Sequence, residues 1–438
     1  MGRSTRSMDN DSQGSSLEAR CLAAECAEPS PVAPEGLSTQ SAIATLTQNI
    51  LGSGVLALPF AMSSAGIAGG VAMLLLVYSM SVFTMGVLVA LSNALGTFSY
   101  KGAAEHTLGH RLAVWVEIWV LCCNIGLCTS YPILLGDFGY ALSQQLGFAE
   151  WTSRKGCMAV MVGCICWPLS CAPSLGFLRG MSLLGLASIC FCAVCAGIRY
   201  FDGSYYTGGI DLDMLRLDTF GDCFPILVGA FGAHTNIPLL YREVAPQAGA
   251  PNFGDTQAGR AAFRQMMSVI GYSLSIACVV YGWVGIVVYA TFGSSTKSDF
   301  SENFRADDNL LAVLRVTMMC AICGSYSLML MSARAAAFNL FLQPQGLEMT
   351  RLWRIAISTA LTAFCLGVAV AADQISTVLA YNGSVFATPT CFIAPAIMYL
   401  RLPRQSQSKT WRVLCVLSAV AGAAFAILGI VVTVRTGS

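Results

Sequence analysis

Charge is what this sequence has least of. Only 11% of its 438 residues are Asp, Glu, Lys or Arg, against about 25% in soluble domains. With 55% hydrophobic residues and a mean hydropathy of +0.66, that scarcity excludes an ordinary soluble domain and places the chain among membrane proteins. The net charge is +1, so no basic surface for nucleic acid is expected. No HExxH, Walker loop or activated-nucleophile motif is present, and no nucleotide-binding domain is attached. An enzyme or an ATP-driven pump is therefore not expected. The 19 cysteines are scattered through apolar runs, as at Cys122, Cys123, Cys128, Cys190, Cys192 and Cys195. They read as small buried hydrophobes, and no metal site is expected. Whether Cys157 and Cys223, near one membrane face, form a disulfide is left open. The period-two alternation of a transmembrane barrel strand is missing too.

What is present is a series of eleven apolar runs, each near the twenty residues a bilayer requires. They cover approximately 41–62, 68–94, 112–140, 157–173, 181–200, 220–240, 267–292, 309–332, 352–371, 375–400 and 412–433. The fourth is short and holds Pro168 and Pro173, which leaves its ends open. Residues 1–40 are polar, with too little apolar surface to fold alone, and are expected to be a disordered cytoplasmic tail. The transporter domain is expected over 41–433. The tail has no signal-peptide core, and Arg6 stands where myristoylation needs Ser or Thr. With the N-terminus in the cytoplasm, sixteen basic residues fall on the inner side and seven on the outer, with Arg315 inside the eighth run. The positive-inside bias then predicts an inner N-terminus and an outer C-terminus.

Two runs are poor continuous helices. The first, TLTQNILGSGVLALPFAM (Thr45–Met62), holds Gly52, Ser53 and Gly54 with Pro59 beyond. Interior Gly costs a helix about 1 kcal/mol relative to Ala, and Pro about 3. The sixth, FPILVGAFGAHTNIPLLYRE (Phe224–Glu243), holds Gly229, Gly232, His234, Asn236 and Pro238. Such glycines also serve close helix packing. But the first and sixth positions correspond if helices 1–5 and 6–10 are inverted repeats, and matched breaks point to the binding site of a secondary transporter. Unwound backbone there would present N–H groups and a half-helix dipole to a carboxylate, and carbonyls to a cation. The expected substrate site is Ile50, Leu51, Gly52, Ser53 and Gly54 with Gly229, Ala230, Phe231, Gly232 and Ala233, bracketing an amino acid.

NILGSGVLALPFAMSSAG (Asn49–Gly66), the sixth run, VYATFG (Val288–Gly293) and FIAPAIMYLRL (Phe392–Leu402) together resemble the amino acid/auxin permease family, which includes sodium- and proton-coupled amino acid transporters. The resemblance covers nearly all of 41–433. It implies an all-α polytopic fold of the LeuT-like kind, a 5+5 inverted repeat plus an eleventh helix. Sodium-coupled members carry an Asn four residues before the first Gly of the GSG motif. Here that residue is Gln48, with Asn49 beside it, and the family's eighth-helix hydroxyl falls at Ser325. A longer arm at 48 shifts the expectation toward proton coupling, with Gln48, Asn49, His234 and Ser325 as the cation-coupling candidates. His234 could relay protons or be a neutral histidine bonded between helices.

Charges inside the runs need a reason. Glu117 and Asp137 are expected to snorkel or sit in loops, and Arg315 to pair with an outer-loop acid or Asp137. The sequon at Asn382 lies inside the tenth run and is not expected to carry glycan. The acidic outer loops 201–222 and 293–309 read as solvated surface. The whole reads as a secondary amino acid transporter working by alternating access, with an amino acid and the lipid bilayer as partners. It needs no cofactor beyond a co-transported proton or sodium, and it sits in a plasma or vacuolar/lysosomal membrane. The alternatives are an amino acid-sensing receptor of transporter fold, sodium-coupled or uncoupled transport, and an indole acid or related carboxylate as substrate.

Overall fold

The computed structural model describes residues 37–52, 54–172, 179–205, 212–245, 254, 256–372, 374–404 and 407–436. Ser53 and most of the expected tail lie outside the described residues. Among those described there are helices and turns and no strand. Nine helices are long and apolar enough to cross a bilayer, or ten when the bent pair Thr39–Leu51 and Gly54–Ala65 is taken as one span. The fourth run is the exception. It is one helical stretch, Arg154–Met161, Val162–Cys166 and Trp167–Ser170, wound in the wider π form in its middle, and it ends at Ser170, short of a full span.

Local chemistry sets the helix ends. Ser38 caps Thr39–Leu51, Thr256 caps Gln257–Phe292, Asp308 caps Asn309–Phe341 and Thr350 caps Arg351–Ala371, each by accepting an amide of the first turn. Gly96, at φ 65°, ends the second span Ile67–Leu95 in the left-handed conformation that glycine adopts without strain. An amphipathic helix, Tyr100–Leu108, follows before the third span His110–Gln145.

The third span packs along the eighth, Asn309–Phe341. The N-terminal half of the first lies against the fifth, Arg179–Phe201, and the seventh, Gln257–Phe292. Its C-terminal half lies against the first half of the sixth, Phe220–Ala230. The chain entering the first helix is tied to the end of the sixth span, where Leu37 donates to the Glu243 carbonyl at 2.8 Å.

Three expectations about charge are corrected. Glu117 does not snorkel; it is 3% exposed and accepts from Asn339 Nδ2 at 3.1 Å. Asp137 pairs with Arg154, whose NH2 reaches its second oxygen at 3.0 Å. Arg315 therefore does not pair with Asp137. Its guanidinium donates instead to the carbonyls of Ser301, Phe304, Arg305 and Ala306 at 3.4 to 3.5 Å, which suits five N–H donors facing a tight turn. Cys157 and Cys223 are both free thiols. Two Cys-x-x-Cys spacings, Cys192/Cys195 and Cys320/Cys323, lie within helices. Among the described residues no group of three His, Cys, Asp or Glu could hold a metal.

Candidate functional site

The first break follows from Gly52. The helix Thr39–Leu51 stops there at φ −34°, ψ −121°, and restarts at Gly54 with a 52° change of direction. The second break is longer. Phe220–Ala230 ends, Phe231 to Ala233 leave the helix, His234–Asn236 form a single tight turn, and Ile237–Val244 resumes with Pro238 in its first turn. Proline is tolerated there because a first-turn amide has no intrahelical partner.

The two breaks touch. A Cβ at Gly54 would fall 2.7 Å from Ala230 Cβ and 2.8 Å from the Tyr281 hydroxyl. Tyr281, on the seventh span, lies 2.6 Å from the Ile50 carbonyl and 2.9 Å from the Ala230 carbonyl. One hydroxyl carries one proton, so these two carbonyls share it and lone pairs remain to accept another donor. A Cβ at Gly52 would fall 2.9 Å from the Tyr131 hydroxyl and 3.5 Å from Ser325 Cβ. The third and eighth spans therefore close over the first break. Ile50 to Gly52, Gly54 and Phe231 to His234 are buried, with Leu51, Phe231 and Ala233 at 0% exposure, while Thr235 and Asn236 are half-buried.

The backbone amides of the two breaks are placed differently. Gly54–Ala65 starts at the break, and its first-turn amides have no intrahelical partner. In the second break the amides of Phe231, Gly232 and Ala233 are paired with the carbonyls of Leu227, Gly229 and Phe231. A tight turn thus satisfies these three amides locally. Gly229 stays within its helix, and its nearest neighbour across is Leu379 of the tenth span at 3.5 Å. It does not face the first break.

The cation-coupling candidates separate into two corners. Gln48 Nε2 donates to Ser325 Oγ at 2.8 Å and to the Ala321 carbonyl at 3.3 Å. The carbonyl can only accept, which fixes the amide orientation. Gln48 also covers Gly185 of the fifth span, where no Cβ would fit. The oxygens of Thr47, Gln48 and Asn49 are buried with no partner among the described residues. Consecutive helical residues point about 100° apart, so these three oxygens do not form one cage. His234 is 1% exposed and lies elsewhere, with Nε2 3.0 Å from Thr84 Oγ1. Thr84 gives its own proton to the Met80 carbonyl at 2.9 Å, so the histidine donates from Nε2. Its Nδ1 has no partner among the described residues. Phe392 packs edge-on to the ring at 5.8 Å.

Sequence reasoning missed Tyr281, Tyr131 and Thr84. The available signal was a tyrosine in the middle of an otherwise apolar span, a polar group that needs a partner there.

Bent, apolar spans meeting at two apposed breaks define a LeuT-like transporter fold, and solved structures agree. Over 91% of this chain and 89% of theirs, the Eremococcus coleocola manganese transporter superposes with a TM-score of 0.60 at 13% identity. Mhp1, a nucleobase-cation-symport-1 family transporter crystallised in a closed conformation, superposes with a TM-score of 0.59 at 11% identity over 91% and 90%. At such identities the likeness shows the fold alone. The sequence is more specific. The family model of the transmembrane amino acid transporter protein matches residues 35–435, and the chain belongs to this family, the amino acid/auxin permeases. Amino acid transporter AVT6E of Arabidopsis thaliana is 24% identical over 85% of this chain and 78% of its own length. The human sodium-coupled neutral amino acid transporter 7 is 24% identical over 75% and 72%. Human solute carrier family 38 member 10 is 23% identical over 84% of this chain, which spans 32% of that protein. AVT6B of Arabidopsis is likewise spanned over 60% of its length.

Proposed function

We propose that this multi-pass membrane protein carries amino acids by alternating access, driven by protons rather than sodium. The observation that carries the reading is the Tyr281 bridge, which holds Ile50 and Ala230 together where Gly54 lets the two broken spans meet. The first-turn amides from Gly54, which have no intrahelical partner, suit the substrate carboxylate. The Ile50 and Ala230 carbonyls suit its ammonium. Around this site the eleven runs form two inverted five-helix repeats with one further helix. The first, second, sixth and seventh rock against the third, fourth, eighth and ninth. The N-terminus is cytoplasmic, by the sixteen-to-seven charge bias.

Coupling by protons is favoured by the Gln48 corner. A sodium site needs several inward-facing oxygen lone pairs. Here an amide N–H points at Ser325 Oγ and at the Ala321 carbonyl. One relative's name carries sodium coupling, which keeps that ion as the second reading. The test is uptake into proteoliposomes across a panel of radiolabelled amino acids. Accumulation of some of them supports transport. Binding without accumulation would identify a receptor of the same fold, and preference for indole acids would change the substrate class.

A further inference from the structure

The loop between the seventh and eighth spans is not only a surface connection. It lies opposite the N-terminus, on the side we call outer, and it forms one wall of a cavity of about 320 Å³. Phe60 from the outer half of the first span, Asp137 from the third and Ile375 from the start of the tenth close the other sides. Lys297, Asp299 and Glu302 come from the loop. The cavity thus lies against the half-helix that Gly54 begins, at Phe60.

Its charges are unevenly answered. Asp137 is held by Arg154. Glu302 has Lys297 at 3.9 Å. Arg315 nearby is given over to four loop carbonyls. Asp299 has no ion pair among the described residues. It is 1% exposed; its Oδ1 accepts the Ser301 amide at 2.9 Å, and its Oδ2 has no partner among the described residues. Burial, with Asp137 nearby and Glu302 beyond, lifts its carboxyl to about 8. A buried carboxylate left in this state takes up either a proton or a cation. The Lys297 side chain is 53% exposed and gives one of its three N–H groups to the Glu302 carbonyl at 3.2 Å. The cavity therefore offers an acceptor and a cationic donor two residues apart, with an apolar wall of Phe60 and Ile375. That is the complement of a zwitterion with a side chain.

We propose that this cavity is an outer binding site for a free amino acid, distinct from the site at the breaks. The α-ammonium lies on Asp299, the α-carboxylate on Lys297, and the side chain against Phe60 and Ile375. It rests on the proposed transport reading for the ligand class alone. Gln374, also on the cavity wall, would add an amide to the carboxylate end.

The test is equilibrium binding of the tritiated amino acid best accumulated by the wild type, or best bound if none accumulates. It uses the purified full chain and runs alongside uptake kinetics in proteoliposomes. Two molecules should bind per chain in the wild type and one in Asp299→Asn. The variant should raise the KM of uptake about tenfold, the usual scale for one charge-assisted hydrogen bond, with maximal rate within about twofold. Phe60→Trp, which fills the cavity without touching a charge, should also leave one bound molecule and guards against a folding defect in the first variant. Lys297→Gln should weaken amino acids and leave a primary alkylamine competitor unaffected. One molecule per chain in the wild type with normal uptake would sink the outer site and spare the transport reading. Two sites sensitive to Asp299→Asn without any accumulation would do the reverse. No binding at all would overturn both.

Discussion

The two breaks are built differently, and the difference separates their polar neighbours. The first is abrupt, with the helix leaving at Gly52 and restarting at Gly54. The second takes the chain from Phe231 through Asn236 before a helix resumes, with the amides of Phe231, Gly232, Ala233 and Asn236 already paired. Gln48, one turn before the first break, reaches into the eighth span at Ser325. His234, within the second, reaches the second span at Thr84. In the proposed rocking motion the first and eighth spans belong to opposite groups, while the second and sixth move together. The Gln48 contact is thus made and broken across the moving boundary, and the His234 contact travels with its group. The second break has its own ties across the boundary, Thr235 to Asn124 at 3.2 Å and Asn236 with Ser332.

The largest expected effect tests whether the breaks are equivalent. Gly54→Val should abolish uptake, by at least about 100-fold, while the protein still reaches the membrane, because its Cβ has no room beside Ala230. Gly229→Ala should stay within about twofold of wild type, since its Cβ makes an ordinary contact with Leu379. Equal losses from both substitutions, measured against surface expression, would remove the asymmetry. Next comes the bridge. Tyr281→Phe keeps the ring and removes the shared proton, and uptake should fall about tenfold, the size of about 1.5 kcal/mol for one buried hydrogen bond. Unchanged uptake would show that the two breaks do not depend on this link.

Smaller effects sharpen the contrast between corners. Gln48→Asn shortens the arm, withdraws the amide from Ser325 and frees an oxygen there. Uptake should become several-fold stimulated by sodium, and a variant as sodium-indifferent as wild type would count against the Gln48 argument. His234→Asn should flatten the pH dependence of uptake more than it weakens substrate binding, because its contact lies within one moving group. A wild-type pH profile in that variant would make the histidine structural.

Much of this architecture is legible from residue order. Long apolar runs give the spans, and glycine followed by proline gives both breaks, because each lowers helix stability locally. The pairing of Gln48 with Ser325 follows from family resemblance. What the chain order hides is long-range partnership. Glu117 looks like a snorkelling acid until Asn339, 222 residues away, is brought to it. Arg315 suggests an acid partner, yet a turn of carbonyls satisfies it first. Tyr281 is one tyrosine among several until the two breaks converge on its hydroxyl. The fourth run, a short helix with a π-wound middle and Pro168 near its end, has no clear length signal at all.

Coupling is the claim on which the two corners bear together. The most direct measurement is uptake of the best panel substrate into proteoliposomes with sodium and proton gradients imposed separately. An inward proton gradient should drive accumulation, a protonophore should collapse it, and replacing sodium with choline at constant pH should change it by less than about twofold. Strong sodium dependence at constant pH would contradict the account. It would show that Gln48, or Asn49 beside it, serves as a ligand with Ser325.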